Sequence, residues 1–161
     1  MKITRRDGLR MAGAAALTTA LPMGARAQDA TVHEVQMLNK ATEGNERNVF
    51  EPAVLQIQPG DTVKFVPTDR GHNSVANEDL MPEGAEGWEG KVNEEVEVTL
   101  ETEGVYGYYC QPHRTTGMIG LILVGEVTQE MLDAAKEVSE RGRARQRLEE
   151  YIAEAEGMVG A

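Results

Sequence analysis

Between residues 32 and 125, apolar and polar side chains change places with a period of two. Val35 and Met37 alternate with polar neighbours, Val63 and Phe65 flank Lys64, and Val96, Val98 and Leu100 are separated by Glu97 and Thr99. Such alternation predicts half-buried β-strands. Val54-Leu55-Gln56-Ile57 is a further short run leading into Pro59-Gly60-Asp61, a turn sequence, and Glu103-Gly104 turns the chain again. Two more runs, Val105 to Cys110 and Met118 to Val124, are joined by residues 111–117 in a hairpin-like connection. The stretch 67–90, rich in Gly, Asn, Glu and Pro, reads as loop. Short strands at this spacing predict a β-sandwich.

From Thr128 the period lengthens. Met131, Ala135 and Val138 share one helical face and Leu148, Tyr151, Ile152 and Ala155 another, which predicts two short helices. Thr128 is expected to cap the first, Gly142 to break the run and Gly157 to end the second. Arg141, Arg143, Arg145 and Arg147 read as a solvated helix face, with Arg145 meeting Glu149 one turn later. Neither helix is long enough to stand alone, so both are expected to pack on the sandwich. The expected class is all-β, with the sandwich in residues 28–125 and a two-helix extension in residues 126–161.

The first 27 residues have the form of an export signal. A basic opening with Arg5-Arg6 leads into an apolar run from Met11 to Met23, then into Ala25-Arg26-Ala27, a small-x-small cleavage sequence. Thr4-Arg5-Arg6-Asp7-Gly8-Leu9-Arg10 resembles the twin-arginine export motif, with Gly8 in place of its aromatic and Arg10 in place of its lysine. The run is too short for a permanent membrane anchor, so the expected destination is the periplasm.

Cleavage there removes five basic side chains and one acidic one, leaving 11 basic against 26 acidic, a net charge of about −15. Nucleic-acid binding needs a positive field and is excluded on that ground. The chain has one cysteine, which in an exported protein can form no internal disulfide and must be buried, ligated or reactive.

That cysteine lies in Tyr108-Tyr109-Cys110-Gln111-Pro112-His113-Arg114-Thr115-Thr116-Gly117-Met118, between the last two strand runs. A thiolate, an imidazole and a weak thioether donor therefore crowd one connection. A fourth donor must come from elsewhere, and only His33 and His72 remain. His72 follows the Val63 run, in a loop able to fold over one end of a sandwich. His33, near the start of the first strand, has no second donor beside it and is assigned to the surface or core edge. Two imidazoles and a thiolate, with a long thioether on the axis, form the blue-copper electron-transfer arrangement. Zinc would take a fuller tetrahedral set, so the methionine argues for copper. Gly-rich phosphate loops, Cys-x-x-Cys pairs and nucleophile elbows are missing from the sequence.

With those residues in view, the chain resembles the cupredoxins, and among them the pseudoazurins, over residues 31–125. The matching stretches are Met37-Leu38-Asn39-Lys40, Val49-Phe50-Glu51-Pro52, Pro59-Gly60-Asp61-Thr62-Val63, Gly71-His72-Asn73, Gly104-Val105-Tyr106-Gly107, Cys110-x-Pro112-His113 and Gly117-Met118. The helical tail favours pseudoazurins over plastocyanins, which end at their last strand. The resemblance implies a Greek-key sandwich holding one type 1 copper, with His72, Cys110 and His113 as strong ligands and Met118 axial. Asn73 would pin the two ligand loops together, and His113, beside Pro112, would be the electron port. It implies a monomeric electron carrier rather than an enzyme. Its partners would be a donor, a cytochrome or a quinol-linked protein, and an acceptor such as nitrite reductase.

With three histidines in the chain, a second catalytic copper centre is excluded. A copper chaperone or stress protein and a plastocyanin-like photosynthetic carrier are the alternative readings. The chain departs from the pseudoazurin pattern in charge: residues 28–125 carry six basic side chains against 17 acidic ones, and Tyr109 replaces a lysine before the cysteine. Either a neutral or basic partner face or a salty habitat would suit such a surface. Asn48 stands in place of a methionine, and Trp88, in place of a phenylalanine, is expected to anchor a loop in the core.

Overall fold

The computed structural model describes residues 30–160. The predicted export signal, residues 1–27, lies outside them. No helix among the described residues is long and apolar enough to cross a membrane.

Eight strands form two four-stranded sheets. The first sheet has the order β2(Arg47–Glu51), β1(Val32–Lys40), β4(Thr62–Val66), β6(Val96–Thr99), and the second β3(Val54–Ile57), β8(Ile119–Val124), β7(Gly104–Tyr109), β5(Val75–Ala76). Strand β1 runs parallel to β4 and β3 parallel to β8; the remaining pairs are antiparallel, so both sheets are mixed. The fold is the expected cupredoxin-like sandwich.

In β4 the period of two is visible directly, since Val63 and Phe65 are buried while Thr62, Lys64 and Val66 are only half-covered. Strand β8 breaks the alternation because every residue of Ile119–Val124 is buried. Its Ile122 and Val124 face the core between the sheets, with Val35, Phe50, Phe65 and Tyr106. Leu121 and Leu123 face a second core, closed by Leu132, Ala144, Leu148 and Ile152 of the helical tail. A strand covered on both faces reads as a continuous apolar run, and the tail is what covers the outer face.

The tail comprises α1(Gln129–Lys136) and α2(Arg143–Val159). Thr128 caps α1 by accepting the Met131 amide, and Gly142 precedes α2 at φ +61°, a backbone conformation open to glycine. Three expectations are corrected. Gly157 lies inside α2, which continues to Val159. Helix α1 ends at Lys136 and buries Leu132 and Ala135, leaving Met131 exposed and Val138 beyond its end. Arg147 belongs to no solvated face: it is 3% exposed, because the helical period places it beside buried Ala144 and Leu148.

The turn between β3 and β4 is held by one carboxylate. Asp61 accepts hydrogen bonds from the amides of Thr31 (2.8 Å) and Gln58 (3.0 Å) and pairs with His33 Nε2 (2.9 Å), which gives His33 the edge role assigned to it. Burial would raise the Asp61 pKa, but the Thr31 and Gln58 amides and the His33 ring outweigh it and hold the group below its ordinary value. A depressed carboxylate contributes stability above its unfolded pKa, near 4, and loses it as pH falls through the lower folded value. Asp61→Asn should therefore cost about 1–2 kcal/mol at pH 7. That difference between parent and variant should shrink below about pH 4, as measured by denaturant unfolding.

Candidate metal centre

Two connections meet at one end of the sandwich. The first, between β4 and β5, carries His72 and Asn73; the second, between β7 and β8, carries Cys110, His113 and Met118 on and around a 3₁₀ turn, Gln111–Thr116. Antiparallel pairing of β7 with β8, with Tyr109 opposite Ile119, brings the two ends of this connection together. Its backbone then stitches the donors in place. The Cys110 amide donates to the Met118 carbonyl (2.9 Å), while the His113 and Met118 amides donate to the Cys110 and His113 carbonyls (both 3.1 Å). Gly117 supplies the left-handed residue that closes the turn, at φ +95°.

The thiol of Cys110 lies 3.7 Å from His72 Nδ1 and 3.6 Å from His113 Nδ1. All three donor atoms fall within 4.8 Å of one another, the only such group among the described residues. Cys110, His72 and Met118 are fully buried and His113 is half-buried, so one imidazole alone approaches the surface. The sequence-predicted donors His72, Cys110, His113 and Met118 are thus gathered at one place, and His33 is engaged with Asp61 instead.

Neighbouring groups orient the donors. His72 Nε2 is 2.9 Å from Asn39 Oδ1, an acceptor, so Nε2 carries the proton and the Nδ1 lone pair faces the thiol. The backbone N–H of Asn39 donates in turn to Asp69 Oδ2 (2.7 Å). Asn73 does what the resemblance implied for it: its Oδ1 accepts the Gln111 amide (2.8 Å), and its Nδ2 donates to the Gly90 carbonyl (2.9 Å). Trp88 anchors the same region, donating to Ser74 (2.9 Å) and stacking on Phe65.

Burial pushes the Cys110 thiol pKa up, against the opposing amides of Asn73 and His113. Burial, and then the charge of His113, push the His72 pKa down. Such a pocket favours uncharged donors until a cation compensates the thiolate. The donor set, two nitrogens and one sulfur with a methionine adjoining, fits copper in either oxidation state better than zinc.

Three residues around this connection, Arg114, Glu140 and Arg147, escaped the sequence reading. Arg114 stacks over the Tyr109 ring (4.0 Å) and forks onto Glu140, and Arg147 donates to the Gly117 carbonyl (2.6 Å). Only the helical period of α2 could have signalled Arg147. Nothing local marks Glu140.

The sequence model of the copper-binding plastocyanin/azurin family matches residues 35–125. The chain is 44% identical over 125 residues to a pseudoazurin of Paracoccus pantotrophus, covering 78% of this chain and 84% of the relative. It is 38% identical over 141 residues to one of Methylorubrum extorquens, covering 88% and 90%. The solved structure of a Sinorhizobium pseudoazurin superposes with a TM-score of 0.74 at 48% identity, covering 78% of this chain and 97% of that one.

Proposed function

Because the chain belongs to the copper-binding plastocyanin/azurin family, and within it to the pseudoazurins, we propose that it is a periplasmic carrier of single electrons serving a denitrification reductase such as nitrite reductase. The observation that carries this reading is the convergence of three soft or borderline donor atoms within 4.8 Å beside a buried methionine. In the proposed site His72 Nδ1, Cys110 Sγ and His113 Nδ1 would hold the copper as strong donors, and the Met118 thioether would add a weaker one. Bound copper supplies a one-electron couple, Cu(II)/Cu(I). The chain contributes rigidity: Asn39, Asn73 and the loop's own backbone hold the donors, so neither oxidation state requires a large rearrangement. His113, beside exposed Pro112, is the contact offered to a partner.

The reading is of a monomeric carrier, not an enzyme, with the sandwich domain at residues 28–125, the extension at 126–161 and a cleaved signal at 1–27. A cytochrome or quinol-linked protein would reduce it. Rapid oxidation of the reduced protein by a copper nitrite reductase, with a reversible potential, is the expected result; metal release to an acceptor without electron transfer would point to a copper chaperone instead. Met118→Gln should retain copper but lower the potential, because an amide oxygen is a harder donor than a thioether and would favour Cu(II). Voltammetry of the loaded variant checks this.

Lys64, Arg114, Lys136, Arg143 and Arg147 are paired with carboxylates, which leaves an acidic surface little relieved by basic groups. A partner with a basic docking face should therefore react faster as salt is lowered, and an acidic one more slowly. Stopped-flow rates against ionic strength test this; acceleration of an acidic reductase at low salt would contradict it.

A further inference from the structure

Arg147 and Glu140 are buried charged residues of the C-terminal extension, 3% and 8% exposed, and both reach the connection that carries the proposed ligands. Arg147 Nη1 donates to the Gly117 carbonyl (2.6 Å), one residue before Met118, and to the Asn48 carbonyl (3.2 Å). Its Nη2 contacts Glu46 and the Arg47 carbonyl. One guanidinium thus ties the end of the ligand turn to the start of β2. Glu140 holds the middle of the turn through Arg114. Its carboxylate takes Arg114 Nη2 at 2.7 Å and Nε at 3.2 Å, and it also accepts Asn77 Nδ2 (3.2 Å). Arg114 follows His113 and lies 4.0 Å over the ring of Tyr109, which precedes Cys110. The fork therefore fixes the two flanks of the Cys110–His113 pair against each other.

A buried ion pair is a poor source of net stability, because desolvation offsets most of the attraction; what a forked guanidinium imposes is geometry. We infer that the helical extension is a clamp on the metal connection, with Glu140 and Arg147 as positioning residues that hold Arg114 and Gly117 so that His113 and Met118 keep their places. The inference rests on the copper reading above.

Charge and position make opposite forecasts for Arg147. By field alone, Arg147→Met removes a positive charge and should tighten binding of a cation, while Glu140→Gln removes a negative one and should weaken it. If both residues act by position, both variants weaken copper binding, on the order of tenfold or more, and shift the sulfur-to-copper absorption band. Arg147→Lys, which keeps the charge and a donor, recovers part of the loss. Leu132→Ala, which takes a buried side chain from α1 without touching the connection, lowers the melting temperature but leaves affinity and band at parent values.

Competitive chelator titration and absorption spectra of the copper-loaded full chain read all four variants. Parent-like affinity and band in Arg147→Met and Glu140→Gln would overturn the clamp, and so would equal changes in Leu132→Ala. If Arg147→Met does not fold, Glu140→Asp, which keeps the charge but draws the carboxylate back from Arg114, carries the test at the other grip: field alone leaves affinity and band at parent values, position weakens the one and shifts the other. A parent protein that shows no sulfur-to-copper band would reject the copper reading, and the clamp with it.

Discussion

Cys110→Ala should abolish the intense sulfur-to-copper absorption completely while leaving a folded protein. The thiol is fully buried and sits 3.6–3.7 Å from the Nδ1 atoms of both His113 and His72, so the three donors can share one cation. The chain has no second cysteine, and residual colour could not come from another thiolate. Two imidazoles would remain. With the Met118 thioether they can still hold copper, but without the thiolate the site loses its strong sulfur-to-copper charge-transfer band. The substitution removes one sulfur atom from a packed core, a cost on the order of 1 kcal/mol, so circular dichroism should stay native. Absorption spectra of parent and variant at equal copper loading make the comparison, and a band surviving in the variant would reject Cys110 as a ligand.

Gly120→Ala is expected to be the most damaging small substitution in the sandwich. Gly120 pairs with Tyr108 across β7 and β8, and a Cβ there would lie 2.3 Å from Tyr108 Cζ, 2.4 Å from its hydroxyl oxygen and 2.8 Å from the Ala53 carbonyl. Tyr108 cannot withdraw, because its ring is packed edge-on against Phe50 (4.7 Å) and Phe65 (5.0 Å) and is 1% exposed. Overpacking of this kind costs about 3 kcal/mol or more, equivalent to a fall in melting temperature on the order of 10 °C. Tyr108 lies two residues before Cys110, so relief of the clash by sliding β7 would also disturb the site. Gly157→Ala provides the contrast. Nothing lies within 4 Å of its added Cβ, and in the last turn of α2 the change should stabilise by a few tenths up to about 1 kcal/mol. Calorimetry of the two variants should show shifts of opposite sign.

How much of this was legible in the sequence varied with the range over which each residue acts. The strands announced themselves because burial on one face imposes a period of two, as in Thr62–Val66. The same period failed for Ile119–Val124, where helices cover the outer face and every position is buried. Cys110, His113 and Met118 were readable as a group because they share one short connection, whereas His72 could be joined to them only by eliminating His33 and by family resemblance. Asn39 lies 33 positions from the imidazole it orients, and Arg147 lies 30 from the carbonyl it holds. Such contacts are created by topology and leave no local pattern. Arg147 was also masked by its neighbours: among arginines at alternate positions it looks solvated, and only its phase relative to Ala144 and Leu148 reveals the buried side.

Electrostatics add a consequence for docking. The sandwich is strongly acidic, and Tyr109, the residue before Cys110, is capped by Arg114, whose charge is spent on Glu140. The surface around the proposed port therefore offers a partner little positive charge, and recognition would rest on apolar contact and on the partner's own basic groups.

X-ray absorption at the copper edge of the fully loaded parent protein tests the centre most directly. The expected result is one copper per chain whose nearest shell contains two nitrogen scatterers and one sulfur, with the sulfur lost in Cys110→Ala and a nitrogen lost in His72→Ala. Copper surrounded by nitrogen and oxygen alone, or a nearest shell unchanged by removal of the residue 72 imidazole, would contradict it.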